Sequence, residues 1–95
     1  MTDPFPLPDR LASSAAPALL QALLHHRGQP LALDAAGVQV IGALALEVVV
    51  AAGRQWQADG LTLTIDRPSP RFRATCRQLG LDPDQPWHLM AGGGA

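Results

Sequence analysis

The chain contains no lysine and no tyrosine, a single cysteine, two Phe and two Trp, and carries a formal net charge of only −1. Each scarcity excludes something. A protein this close to neutral has no basic field for a phosphate backbone and no cationic face for anionic lipid, so nucleic acid is not an expected partner. Without lysine there is no phosphate cradle of the G-x-x-x-x-G-K-[ST] kind. One cysteine, Cys76, cannot build an intramolecular disulfide framework and fits a reducing compartment. The opening residues MTDPFPLPDR are acidic and broken by proline, where a signal peptide would be basic and then apolar. The longest apolar run, residues 38–53, is interrupted by Gln39, Gly42 and Glu47 and is short for a bilayer. A cytoplasmic address is the expectation.

What is present is apolar and aliphatic. Hydrophobic residues make up 47% and charged residues 16% of 95 positions, so one domain with a core of Leu, Val, Ile and Ala is expected. Residues 31–53, LALDAAGVQVIGALALEVVVAAG, carry the most information. An apolar strand ends on Asp34, passes through a small glycine-bearing loop and enters a long apolar helix. Loops of this kind hold the chemistry of many α/β proteins, because free N–H groups and the positive end of the helix dipole point outward there. Yet the run has no Ser, Thr, Tyr, Cys or His. The position exists and the reactive groups do not, which predicts a non-enzymatic protein that offers a surface to another protein.

Residues 5–7 leave room for a short edge strand among the prolines. Leu11, Ala15, Ala18, Leu19, Ala22 and Leu23 recur at helical spacing and predict a first helix over 11–27. Ser13 or Ser14 would cap it, Pro17 would sit near its first turn, and Gly28 would stop it. Leu31, Ala32 and Leu33 read as a strand covered on both faces. A second helix is expected over about 42–58 with Trp56 in its apolar face and Gly60 as its cap. Leu61, Leu63 and Ile65 alternate with Thr62 and Thr64 as a strand. Ser69 and Pro70 start a third helix whose apolar face is Phe72, Cys76 and Leu79, ending at Gly80. This alternation predicts a small α/β domain with a mixed, mainly parallel sheet of about four strands. The core is expected over residues 5–81, with a flexible tail over 82–95 anchored by Trp87.

The order of these residues resembles the STAS domains, the family of bacterial anti-sigma-factor antagonists and of the cytoplasmic tails of sulfate transporters. Leu7 and Pro8 open the match. Leu33, Asp34, Ala35, Ala36, Gly37 and Val38 look like its strand-end segment, and Ile41, Gly42, Ala43, Leu44, Ala45 and Leu46 look like its switch segment. Ala51, Ala52, Trp56, Gly60, Ser69, Phe72, Leu79, Gly80 and Leu81 extend it over most of the chain. The resemblance implies a SpoIIAA-like α/β fold and a role in protein interaction. In regulated members the switch segment runs aspartate, small residue, serine or threonine, glycine, leucine, and the hydroxyl is phosphorylated by a partner kinase. Here Gly42 stands in place of the aspartate, Leu44 in place of the hydroxyl and Ala45 in place of the glycine. A phosphate would break an apolar contact by charge and desolvation; Leu44 cannot receive one, so the surface is expected to stay competent at all times.

The resemblance therefore implies a partner surface of Asp34, Gly37, Val38, Gly42, Ala43, Leu44 and Glu47. It implies as partner an anti-sigma factor or kinase, or a component of a chemotaxis signalling cluster. Alternatives are the ATPase of a phospholipid-trafficking ABC transporter, whose stand-alone STAS subunit binds from the cytoplasmic side, and a small anion or nucleotide. No cofactor or metal is implied. His25 and His26 are adjacent, so on a helix they point about 100° apart and cannot chelate one ion together. Asp34 and Glu47 have no nucleophile or base beside them, and Asp34 is expected chiefly to cap its loop. Cys76 reads as a small core residue. Arg67, Arg71, Arg73 and Arg77 read as a solvated face, with a phosphate or acidic patch as the alternative.

Overall fold

The computed structural model describes residues 4–88. In chain order it contains β1 (Phe5–Pro6), β2 (Arg10–Leu11), a 3-10 turn (Ser13–Ala15), α1 (Ala16–His25), β3 (Leu31–Asp34), β4 (Val40–Ile41), α2 (Ala43–Ala58), β5 (Leu63–Asp66) and α3 (Pro70–Gln78). Three strands form one sheet in the order β1-β3-β5, and β2 pairs with β4 in a second; every one of these ladders is parallel. The register places Leu31 beside Leu63 and Leu33 beside Ile65, so the buried side chains of neighbouring strands share one face. Because β1, β3 and β5 follow one another across the sheet with α1 and α2 as their crossovers, both helices lie on that face and pack on each other.

The opposite face departs from expectation. Thr64 is exposed and Ala32 half-buried, so β3 is covered on one face and not on both. A methyl and a hydroxyl leave little apolar surface there, and water tolerates it. Two more strands than residues 5–7, 31–33 and 61–65 announced are present as β2 and β4, each a two-residue bridge too short to show periodicity. The first helix accordingly starts later than residue 11. Leu11 is fully buried in β2, beside Ile41, and α1 begins at Ala16 with Pro17 in its first turn, without a side-chain cap from either serine.

Helix α2 forms despite the β-branched Val48, Val49 and Val50 because Ala45, Leu46, Val49, Ala52, Gly53 and Trp56, spaced by three and four, are all buried. The Trp56 indole N–H donates to the Gln29 carbonyl at 2.8 Å, which satisfies its polar atom in the core. The helix closes through Gly60 at φ +73°, with N–H bonds from Gly60 to the Gln57 carbonyl and from Leu61 to the Trp56 carbonyl. Helix α3 ends the same way at Gly80, and Leu81 packs half-buried where Leu79 was expected to; Leu79 is 56% exposed. Its start is capped by Ser69, whose Oγ accepts from the Phe72 N–H at 3.1 Å.

The packed core reaches beyond residue 81. Pro83, Pro86 and Trp87 are buried, and the Trp87 ring lies directly on α2: a Cβ at Gly53 would come within 2.0 Å of Trp87 Cε3. The segment 82–88 is closed by N–H bonds from Asp82 to the His88 carbonyl and from His88 to the Gln85 carbonyl; residues 89–95 of the expected tail lie outside the described residues. Cys76 is fully buried in the core, and desolvation, with a smaller push from the Asp82 carboxylate, raises its thiol to about 11.

Candidate partner-docking site

The start of α2 is built from three segments. Gly42 is its N-cap residue and has no side chain to accept from the free N–H groups of the first turn. Ser13 takes that role across the chain, its Oγ accepting from the Leu44 N–H at 3.4 Å, while the Gly42 N–H donates to the Leu11 carbonyl at 2.8 Å. The approach is close enough that a Cβ at Gly42 would lie 2.5 Å from Ser13 Oγ and 2.6 Å from Ser13 N. Glycine at this position is what lets the turn at Ser13 close over the helix end.

With its backbone satisfied, the first turn presents side chains. Ala43 and Glu47 are exposed, and Leu44 is 49% exposed. Leu44 sits at the mouth of a groove of about 390 Å³ between α1 and α2, whose walls include Leu20, Leu24, Val48 and Ala51 and whose floor includes Leu23 and Trp56. Leu20 and Leu24 are 45% and 50% exposed. On the other side of α2 a second apolar groove of about 380 Å³ runs between Ala43, Glu47 and Ala51 and the pair Leu79 and Leu81. The α2 ridge is therefore flanked by apolar surface on both sides.

The strand-end loop is held shut by its own polar groups. Asp34 accepts from the Ala36 N–H at 3.0 Å through Oδ1 and from Arg67 Nη2 at 2.6 Å through Oδ2. The Ala36 N–H, and then the Arg67 guanidinium, hold the Asp34 carboxyl below the usual carboxylate range. Arg67 itself adopts φ 48°, a left-handed turn that brings its guanidinium back to Asp34. Ser69, buried, donates from Oγ to the Val38 carbonyl and so ties this loop to the start of α3. Gly37 is exposed in an open cleft facing Pro70 and Arg71.

The structure thus sorts the residues that the sequence grouped. Gly42, Ala43, Leu44 and Glu47 come together on the first turns of α2. Gly37 faces a different cleft, and the Asp34 carboxylate is engaged within the loop. Val38 is a correction: the Val38 N–H bonds back to the Ala35 carbonyl, the loop folds inward, and the side chain is only 1% exposed, so it belongs to the core and not to a contact surface. Leu20 and Leu24 were missed. Their signal was present, an i, i+4 leucine pair outside the stripe of Leu19 and Leu23 that already accounted for burial of α1.

Little reactive chemistry gathers here. Among the described residues no cluster of three His, Cys, Asp or Glu is arranged to hold a metal ion. The His26 ring meets Phe5 edge-on at 5.6 Å, and His88 Nε2 lies 3.1 Å from Gln57 Nε2. No helix among the described residues is long and apolar enough to cross a membrane. No curated protein and no solved structure matches the chain. The family described as Mlab, STAS domain, matches residues 7–90, nearly the whole length, with the α/β order of three helices and parallel strands described above. On that match the chain belongs to the STAS domain family.

Proposed function

We propose that this STAS domain is a non-enzymatic, cytoplasmic docking module whose partner contact is centred on Leu44, with Ala43 and Glu47 beside it and Gly42 at its border, and that phosphorylation does not control it. The observation that carries the reading is Leu44 itself. A half-exposed leucine stands on the first turn of α2, where regulated relatives hold a hydroxyl, and it continues into the exposed Leu20 and Leu24. Contiguous apolar surface of this kind is costly in water and is relieved by a protein contact. The small-anion alternative is weakened by the same geometry, because Ser13 already accepts from the Leu44 N–H that an anion would need.

The resemblance to a stand-alone STAS subunit supports, as partner, the ATPase of a phospholipid-trafficking ABC transporter, bound from its cytoplasmic side. The resemblance of residues 41–46 to a switch segment supports a second reading, in which the partner is an anti-sigma factor, a kinase or a chemotaxis component. Capture with tagged domain from detergent-solubilised membranes and from the soluble fraction of the host, comparing wild type with Leu44→Glu, separates them. An ATPase from the membrane fraction that the variant loses is the expected result, and a soluble kinase lost in the same way selects the second reading. Identical recovery by both proteins overturns the assignment of the surface.

A further inference from the structure

The groove between α1 and α2 has a polarity that the docking reading does not use. The two helices run parallel: Ser13, just before α1, touches the start of α2 at Leu44, while Arg27, just after α1, pairs with Asp59 at the end of α2 at 3.3 Å. Glu47 therefore rims one end of the groove and Arg27 the other. Glu47 is exposed and has no ion-pair partner among the described residues. Arg27 gives only its Nε to Asp59, which leaves both terminal guanidinium nitrogens unengaged among the described residues. Between the two ends the surface is apolar, with Leu20, Leu24 and Leu44 each about half exposed, and Ala51 lies midway along α2.

A two-fold contact requires a patch that is its own complement after a half-turn, so that residue i meets j and j meets i. An acid at one end, a base at the other and leucines between them meet that requirement. From Glu47 to Gln55 the helix advances by about 12 Å at 1.5 Å per residue, which puts Ala51 at the centre. The small side chain there lets two ridges approach closely.

We propose that this groove is a self-association surface: a second copy of the chain docks antiparallel on it about a two-fold axis near Ala51, with Glu47 of each copy facing Arg27 of the other. Leu44 is covered in that arrangement, so self-association and the docking of another protein through Leu44 exclude one another.

Sedimentation equilibrium of the full chain, from low micromolar to near millimolar concentration and at low and high salt, tests this directly. The wild type is expected to dimerise, more weakly at high salt. Leu24→Glu, at a half-exposed site in the same groove as Leu44, is expected to weaken the dimer by about a hundredfold, because it sets a carboxylate in the apolar centre of each half of the interface. Glu47→Arg and Arg27→Glu are each expected to weaken it by about tenfold, and the double reversal to return it to within about threefold of wild type, because the pairing is reciprocal. Circular dichroism verifies that each variant is folded. A wild type that is monomeric throughout overturns the proposal and leaves the groove to a different protein; so does a dimer indifferent to Leu24→Glu, or a double reversal no better than its parents.

Discussion

Replacing Gly53 by alanine offers the sharpest test of how the end of the described chain is held. In an exposed helix this change stabilises by about 1 kcal/mol, since glycine loses more backbone freedom on folding. Here the added Cβ would lie 2.0 Å from Trp87 Cε3 and 2.6 Å from Trp87 Cγ. Cγ is the root of the ring, so rotating the indole does not clear the contact and the ring must leave. Trp87 is 8% exposed, and loss of a tryptophan buried to that degree costs about 3 kcal/mol at the lower end of the range for such truncations. Gly53→Ala should therefore destabilise by about 2 kcal/mol, a fall in Tm of roughly 8–16 °C for a domain of this size. Trp87→Ala alone should cost about 3 kcal/mol. With the ring already removed, the alanine has nothing to strike, and Gly53→Ala should then stabilise by about 1 kcal/mol. The sign reversal corresponds to a coupling of about 3 kcal/mol. Urea unfolding of the four proteins, followed by far-ultraviolet circular dichroism, measures it. If Gly53→Ala stabilises the otherwise wild-type chain, the Trp87 ring is not seated on α2 and the account is refuted.

Four further outcomes follow from the same geometry. Leu44→Glu should remove partner binding in calorimetry while shifting Tm by no more than a few degrees, since the side chain is half in water. Asp34 is held below its unfolded pKa, so its contribution to stability is present above about pH 4 and is lost as pH falls through the depressed folded value. Asp34→Asn should flatten the acid limb of a stability-against-pH profile, and an unchanged limb would assign acid sensitivity to other groups. Cys76, buried with its thiol raised to about 11, should resist a thiol reagent at mildly alkaline pH until global unfolding exposes it; rapid labelling of the native protein would contradict the packing of α3. Gly42→Asp should destabilise by about 1–3 kcal/mol through collision with Ser13, and in a thermal melt adding Ser13→Gly should relieve only part of that cost, because the Ser13 backbone N, 2.6 Å from the added Cβ, stays in place.

Legibility in the sequence followed length and locality. Sixteen residues of α2 and the alternating β5 were readable because their period repeats, and both helix ends at Gly60 and Gly80 were readable because a glycine followed by leucine there serves a purely local purpose. The bridges β2 and β4 were not, since two residues carry no period and their pairing joins Leu11 to Ile41 across the whole of α1. The same holds for the site. The place of Leu44 on the first turn of α2 was legible from the apolar run that begins at residue 42. The Asp34 to Arg67 pair spans 33 positions, and nothing near either residue announces it. Val38 was misplaced because a loop between a strand and a helix reads as surface, while the Ala35 carbonyl and the Ser69 hydroxyl fold this one onto the core.

The proposal that phosphorylation does not control this surface rests on Gly42 as well as Leu44, and Gly42 has a structural role of its own. Taken alone, glycine at an N-cap lacks the side-chain acceptor that an aspartate offers, a loss that typically costs a helix about 1 kcal/mol with alanine and a few tenths with glycine. In the fold the acceptor has been supplied from elsewhere: Ser13 Oγ meets the Leu44 N–H, at the second helical position, where the side chain of an N-cap residue would normally bond. Ser13 can stand there only because residue 42 has no Cβ. The two features fit each other, and together they leave a capped helix end that presents Leu44. An aspartate at residue 42 would collide with the Ser13 turn, backbone included, so changing Gly42 and Leu44 alone would not give this chain a phosphorylatable segment in the same backbone.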